Sequence, residues 1–274
     1  MSLRCHSLVG ALLISTAAAW SAAAQPAPLK VCADPNNLPF SNAAGEGFEN
    51  RIAEALAAEL GTHVEYTWWA QRRGFIRNTL KEELCDLVVG VPAGFEQALT
   101  THPYYGSRYV FITRKSDGPP PRSLDDPRLR SALIGVPLIG DDSANAPPAH
   151  GLARRGILEN VRGFMVYGDY RDRAPSARII EAVADGRIDV AIVWGPLAYF
   201  AARQTAPLLV TPIEPGPLDA GLPFAFDIAM GVRRRETDFR ERVDAALSRI
   251  RPRIDAILSA YGVPRVDGAP RSPS

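Results

Sequence analysis

The chain has 274 residues, which is enough for one large domain or two modest ones. Its 31 Lys and Arg residues almost balance its 30 Asp and Glu residues, and this balance argues against nucleic acid as a partner. Beyond the N-terminal segment, the sequence offers no apolar stretch long enough to cross a bilayer.

The N-terminal segment has the pattern of a secretory signal peptide. Arg4 supplies a positive charge, the apolar stretch from Leu8 to Ala19 follows, and Ala22-Ala23-Ala24 forms a small-residue cleavage site. The apolar stretch is too short for a membrane anchor. We therefore interpret residues 1–24 as a leader that is removed, and the protein as periplasmic.

The mature chain opens with a strand, a stiff polar loop and a helix. Leu29–Ala33 is a short apolar run typical of a buried strand, and the prolines of the next segment exclude regular structure there. An apolar residue recurs every fourth position from Phe48 to Leu60, which predicts an amphipathic helix ending at Gly61. Loops after strands of α/β sheets are where ligands bind. This loop supplies the first candidate site residues, Asn36, Asn37 and Phe40.

Two cysteines remain in the mature chain, Cys32 and Cys85. An even pair in an oxidising compartment predicts a disulfide, with two buried free thiols as the alternative. Between them we expect a strand at Val64–Trp69 and a helix at Arg72–Leu84. Trp69 and Arg72 are candidates for the cleft, although a core Trp and a solvated Arg fit them as well.

A third, nearly continuous apolar strand is expected at Cys85–Pro92, and the candidates Pro92 and Gly94 lie at its end and just after it. Tyr104 and Tyr105 follow in a turn, and we expect one ring to pack inside and the other to be exposed; Tyr104 is the candidate. Three prolines at Pro119–Pro121 then mark a domain boundary.

The second unit repeats the alternation of strand and helix. Its polar loop after the strand at Leu133–Val136 carries Asp141, Asp142 and Asn145, although the aspartates also suit a helix N-cap. His150 faces either the cleft or solvent. Trp194 ends the apolar strand Ile188–Trp194.

The last third of the chain returns to the first unit. The proline-rich segment Pro207–Pro223 is interpreted as the return crossing, followed by a strand and two helices. This gives a first lobe of residues 25–114 and 222–264, a second lobe of residues 115–221, and a disordered tail of residues 265–274.

The order of these pieces resembles the type II periplasmic solute-binding proteins. The resemblance is carried by Gly47-Phe48-Glu49, the stretch from Leu80 to Asp86, Pro103-Tyr104-Tyr105 and Gly186-Arg187-Ile188-Asp189. It implies an α/β fold in which two lobes, joined by two chain crossings, surround a central cleft.

A narrower family is more similar. Val31 to Asn42, Gly90 to Gly94, Ile139 to Asp142, Pro147 to Gly156 and Val193 to Pro196 resemble the MoxJ/XoxJ-type components associated with quinoprotein dehydrogenases. The resemblance implies a periplasmic, non-enzymatic accessory that assists maturation or activation. The implied partners are a PQQ-dependent alcohol (methanol) dehydrogenase and its cytochrome c.

The sequence departs from amino-acid receptors at two positions. Such receptors place an Arg shortly before their Pro-Tyr, where it clamps the ligand carboxylate; here Gln97 stands there. The Asp that holds the ligand ammonium is replaced by Trp194-Gly195-Pro196. Amino-acid binding is therefore disfavoured.

Three functions compete: a partner-binding accessory, a solute receptor of an ABC importer for a small polar ligand, and an enzyme on the same scaffold. We find no pair of base and nucleophile, no metal-ligand spacing among the His and Cys residues, and no cofactor motif. The accessory is the favoured interpretation. We expect its cleft or rim to receive a protein segment, with Trp194 and Tyr104 as aromatic anchors.

Overall fold

The structure is a computed structural model, and it describes residues 26–138, 146–166 and 170–266. The first part contains β1 (Leu29–Ala33), β2 (Asn36–Asn37), β3 (Ser41–Asn42), α1 (Phe48–Glu59), β4 (Val64–Trp68), α2 (Phe75–Asn78), β5 (Leu87–Pro92), β6 (Leu99–Thr100) and β7 (Tyr105–Arg114). The second contains β8 (Ile134–Leu138), α3 (Pro147–Arg154), β9 (Val161–Met165), α4 (Arg178–Ala184), β10 (Val190–Trp194), α5 (Ala198–Ala201) and β11 (Leu208–Pro212). The chain then forms β12 (Ala225–Val232), α6 (Thr237–Arg249) and α7 (Arg251–Ala260).

The strands lie in the order β4-β1-β5-β12-β7-β10-β8-β9, with β6 on β12 and β11 on β7. The long strand β7 joins two half-sheets. Its residues up to Arg108 pair with β12, and those from Tyr109 onward pair with β10 and β11. We call the half-sheet of β4, β1, β5 and β12, with its helices, the first lobe. The half-sheet of β10, β8, β9 and β11, with its helices, is the second lobe.

This is the two-lobed α/β fold predicted from the sequence, and that prediction is confirmed. The chain passes between the lobes in β7 and again between β11 and β12. The residue boundaries at 114/115 and 221/222 stay a prediction, and the change of pairing partner falls inside β7, at Arg108 and Tyr109.

Each lobe has its own apolar core. In the first lobe, α1, α6 and α7 pack on the sheet around fully buried residues such as Phe48, Ile52 and Ile254. In the second lobe, one cluster lies between α4 and the sheet, and another lies on the opposite face. Burying these apolar stripes is the main force that folds both lobes.

The predicted disulfide between Cys32 and Cys85 is present, with the two Cα atoms 5.5 Å apart. Cys32 lies on β1, and Cys85 lies just before the neighbouring parallel strand β5. Both residues are buried in a small cluster with Phe75, Ile76 and Leu80.

The prediction of a helix at Arg72–Leu84 is wrong, since only the single turn of α2 forms there. Gly74, with φ 85°, and Glu83, with φ 58°, are left-handed, and Thr79 also leaves the helical region. A right-handed helix cannot pass through such residues. The apolar side chains of the segment instead pack around the disulfide.

Two further expectations differ from the structure. The return crossing contains a strand, β11, at the edge of the second half-sheet. In the predicted disordered tail, Arg265 bridges to Ser107 and the Val266 N–H donates to the Gly106 carbonyl, because the chain after α7 follows β7. The leader at residues 1–24 and residues 267–274 of the tail lie outside the described residues. Among the residues that the structure does describe, no helix has the length and apolar character needed to cross a membrane.

Candidate functional site

A cleft of about 520 Å³ lies between the lobes. The first lobe contributes the ends of β1 and β5 and the start of β7, and the second contributes the carboxyl ends of β8, β9 and β10. Most of the wall is apolar. The lining residues are Asn37, Phe40, Glu49, Gln71, Gly90, Val91, Pro92, Tyr105, Tyr109, Pro137, Leu138, Ala146, Pro147, Val166, Ser176, Trp194, Leu197, Phe226 and Ile228.

Trp194 is at the centre of the aromatic wall. Strand pairing sets it opposite Tyr109 on β7, and the two ring centroids are 5.3 Å apart in an edge-to-face arrangement. On its other side, the Phe226 ring lies 5.7 Å away at 70°. Edge-to-face rings attract through their quadrupoles, which fixes the indole in place. Burial also raises the pKa of the Tyr109 phenol to about 12, so it stays neutral.

The loop after β1 is held rigid by Asp34. Its carboxylate accepts hydrogen bonds from the backbone N–H of Asn36, at 2.8 Å, and of Gln71, at 2.7 Å. Two bonds to backbone donors are typical of a fixed turn. Asn37 Nδ2 in turn donates to Gln71 Oε1 at 3.2 Å, and both side chains border the cleft.

The same loop reaches across to the second lobe. Asn36 Nδ2 donates to the Asp172 carbonyl at 2.8 Å, and Ser176 Oγ donates to the Leu38 carbonyl. The Leu38 side chain is buried within the core cluster around α4 in the second lobe. These contacts fasten one side of the cleft.

Glu49 is the buried charge-bearing residue of the lining. It stands in the first turn of α1 with an exposed fraction of 8%, and its carboxyl lies against Gly90 on β5. A Cβ on Gly90 would lie 2.1 Å from Glu49 Oε1, so the carboxyl occupies the space that a side chain would need. In the described part of the chain, no hydrogen bond or ion pair to this carboxyl is formed. Burial without a partner raises the pKa of Glu49 to about 8.

Four of the predicted site residues lie together in the cleft lining: Asn37, Phe40, Pro92 and Trp194. Asn36 belongs to the same loop but does not line the cleft, and its side chain instead donates to the Asp172 carbonyl of the second lobe. These positions follow from the βα geometry, because each residue lies at or just after the carboxyl end of a strand.

Other predicted residues do not reach the lining. Tyr104 is 2% exposed in the first-lobe core, where its hydroxyl donates to the Val89 carbonyl, because alternation along the chain turns it away from the cleft. Its neighbour Tyr105 lines the cleft instead and is itself only 5% exposed, so the expectation that one of the two rings is exposed is wrong. Exposed positions outside the lining are occupied by Trp69, Arg72, Gly94 and His150.

Asp141, Asp142 and Asn145, also predicted as site residues, lie outside the described residues. Among the residues that are described, no group of three or more His, Cys, Asp or Glu side chains could hold a metal ion.

Sequence reasoning missed Glu49 and the aromatic residues Tyr105, Tyr109 and Phe226. An acidic residue in the first turn of a helix is ordinarily exposed to solvent, where its negative charge interacts favourably with the helix dipole, so the position of Glu49 alone offered no reason to expect burial. The signal for its burial was Gly90, a glycine inside an otherwise apolar strand, which often marks a close approach.

Comparisons with known proteins agree with this architecture. Residues 29–263 match the family model described as bacterial extracellular solute-binding proteins, family 3. The chain is 32% identical to protein MoxJ of Methylorubrum extorquens over 246 residues, covering 86% of this chain and 81% of that protein.

Two crystal structures are similar over most of the chain. The periplasmic binding protein XoxJ from Methylobacterium extorquens AM1 has a TM-score of 0.72 and 34% identity, covering 88% of this chain and all (100%) of that one. MxaJ from Methlophaga aminisulfidivorans MPT has a TM-score of 0.75 and 25% identity, covering 87% and 100%.

Proposed function

The chain belongs to family 3 of the bacterial extracellular solute-binding proteins, in the MoxJ/XoxJ-type branch, and we propose that it is a periplasmic accessory of a methanol-oxidising system. Its partner in this proposal is a PQQ-dependent methanol or alcohol dehydrogenase, whose maturation or activation it assists by direct contact. The similarity to a periplasmic binding protein and the N-terminal pattern of residues 1–24 support the location. Proteins of this family bind and do not catalyse, so the chain is not an enzyme.

The observation that carries the proposal is the character of the cleft. A receptor for an amino acid needs a cation for the ligand carboxylate, because a buried charge without a partner is costly. Among the described lining residues there is no Lys, Arg or His. The wall instead presents five aromatic rings, from Phe40, Tyr105, Tyr109, Trp194 and Phe226. Aromatic surfaces of this kind are enriched where proteins bind protein segments.

The rigidity of the wall suits the same role. The loop after β1 is fixed by Asp34 and fastened to the second lobe, and prolines form several of the remaining lining positions. A pre-organised groove loses little conformational entropy when a segment docks. We propose that a segment of the dehydrogenase lies along this wall, with Trp194 as its main aromatic contact.

Binding of the purified dehydrogenase to immobilised variants tests the proposal. Trp194→Ala should weaken binding by about 1–3 kcal/mol, and Leu138→Arg, which places a charge in the apolar wall, should weaken it further. The matched control is Leu158→Ala, since Leu158 is exposed and precedes β9 at the end away from the cleft. Circular dichroism establishes that each variant is folded.

If both cleft variants bind the dehydrogenase as the unmodified protein does, the segment does not lie in the cleft. The alternative function is a receptor of an ABC importer for a small polar ligand. It predicts micromolar binding of such a ligand in calorimetry and no interaction with the dehydrogenase.

A further inference from the structure

Among the described residues, no side chain or backbone group forms a hydrogen bond or ion pair with the carboxyl of Glu49, and burial dominates its environment. The groups around it include the Gly90 backbone and the rings of Tyr104, Tyr105 and Tyr66, whose phenol pKa values are raised mainly by burial and further by the charge of Glu49. The Tyr104 hydroxyl donates to the Val89 carbonyl and therefore does not donate to Glu49. A buried polar group without a partner is destabilising, and native proteins rarely retain one without a reason.

The space for this carboxyl is built into the strand. A Cβ at Gly90 would lie 2.1 Å from Glu49 Oε1, so a larger residue there would push the carboxyl out of its present position. Glu49 and Gly90 both line the cleft, so the carboxyl borders the cavity rather than the closed core. A ligand in the cleft can therefore reach it.

The residues that line the cleft around Glu49 indicate which class of ligand would bind there. Aromatic faces attract cations, and the attraction is strongest where water is excluded. Aliphatic residues of the same wall, such as Val91, Leu138 and Ile228, favour a ligand with an apolar body. A metal ion is disfavoured because Glu49 has no second acidic or imidazole neighbour among the described lining residues.

We propose that the cleft binds an alkylammonium group, whose positive charge pairs with the Glu49 carboxylate and whose carbon body contacts the aromatic wall. A zwitterionic amino acid is disfavoured, because the described lining offers no Lys, Arg or His to pair with its carboxylate. The group belongs either to a free small cation or to a lysine side chain of a docked partner. The inference concerns the chemistry of the cleft and does not rest on the dehydrogenase being the partner.

The pH response of this site follows from its neighbours. Burial raises the pKa of Glu49 to about 8, while the phenols of Tyr104 and Tyr105 have pKa values well above 10. The side chain of Asp227, on the neighbouring strand β12, approaches Gly106 and so lies on the opposite face from the cleft. On α1 itself, Arg51 and Glu54 are exposed and pair with each other. Alkylammonium affinity should therefore rise by roughly tenfold per pH unit up to pH 8 and then level off.

Isothermal titration calorimetry with n-butylammonium and tetramethylammonium chloride tests the proposal, with 1-butanol as the neutral analogue. At pH 8.5 the cations should bind and 1-butanol should bind at least roughly tenfold more weakly. Glu49→Gln, which keeps the shape and removes the charge, should weaken cation binding by a similar factor. The matched control is Glu54→Gln on the same helix, which should leave binding unchanged.

A second pair of probes separates the two sources of the group. Tighter binding of Nα-acetyl-lysine N-methylamide than of butylammonium assigns the group to a partner's lysine, and the reverse order assigns it to a free cation. The proposal is overturned if neither ammonium ion binds at pH 8.5, or if Glu49→Gln binds them as the unmodified protein does. Neither result would bear on dehydrogenase binding by Trp194, which is measured separately.

Discussion

The pairing of Glu49 with Gly90 is a relation between two single residues on different elements. The backbone of Gly90 is not left-handed, so glycine is not needed there for its conformational freedom. The missing side chain instead leaves room for the Glu49 carboxyl. Gly90→Ala should therefore push the Glu49 carboxyl toward the cleft, and because that carboxyl is the end of a flexible side chain, the loss should be at most about 1 kcal/mol, the low end of the range for an overfilled site. In a Glu49→Ala background, the same substitution should cost much less, because the carboxyl is gone. Urea denaturation of the four proteins of this double-mutant cycle measures the coupling, and additive effects would contradict the geometry.

The raised pKa of Glu49 also makes stability depend on pH. The folded state holds its proton up to pH 8, whereas the unfolded chain releases it near 4.5. Between these values the folded state binds more protons, so the free energy of unfolding should fall as pH rises, by at most about 1.4 kcal/mol per unit. Glu49→Gln lacks this term. The stability difference between Glu49→Gln and the unmodified protein should therefore grow in favour of the variant from pH 5 to pH 8 in urea titrations. A constant difference would show that Glu49 is ionised throughout.

At the scale of elements, the sequence predicted α1 and most strands because their apolar periodicity is local. It mispredicted the stretch around α2 because Leu80, Leu84 and Ile76 have helical spacing, while Gly74 and the disulfide impose another path. It overlooked β11 because prolines usually interrupt strands; β11 is an edge strand, where a missing N–H is tolerated. The burial of Glu49 was overlooked because it is not a local property of the sequence: it results from β5 packing against α1 in the folded chain.

The disulfide replaces the regular structure that the segment between β4 and β5 lacks. It closes a sequence separation of 53 residues, for which the chain-entropy relation gives about 4 kcal/mol. The double variant Cys32→Ala/Cys85→Ala should lose about this amount in urea denaturation. Because both cysteines are buried, the native protein should resist alkylation without a denaturant and reductant. A loss below about 1 kcal/mol would mean that the surrounding cluster alone fixes the segment.

A buried ion pair fixes the end of α3 to the segment that returns to the first lobe. Arg155 bonds Asp219 through two nitrogens, at 2.6 and 3.0 Å, and both side chains are almost fully buried. Arg155→Met leaves Asp219 buried without its cation and should cost about 3–5 kcal/mol. Adding Asp219→Leu should recover a large part of this loss. The exposed pair of Arg122 and Glu214 provides the control, where Arg122→Met should cost less than about 1 kcal/mol in the same chemical denaturation. Equal losses at both sites would contradict the assignment.

At the scale of the whole molecule, the cleft depends on how the lobes meet. Its aromatic wall combines Trp194 and Tyr109 of the second half-sheet with Phe226 of the first, and β7 holds these strands in register. Sequence reasoning could find Trp194, because it follows an apolar strand. It could not find Phe226 or Tyr105, because the position at which β7 changes pairing partners determines whether these side chains point into the cleft.

Trp194 packs against three of the core clusters, and Phe40 packs against the cores of both lobes. Leu38, from a first-lobe loop, is itself part of a second-lobe core. Neither lobe can therefore lose its core while the other keeps all of its contacts. Two lobes would ordinarily suggest two melting transitions; here we expect a single cooperative one, with a calorimetric enthalpy equal to the van't Hoff enthalpy. Differential scanning calorimetry measures that ratio, and a trace resolved into two peaks would show that the lobes melt independently.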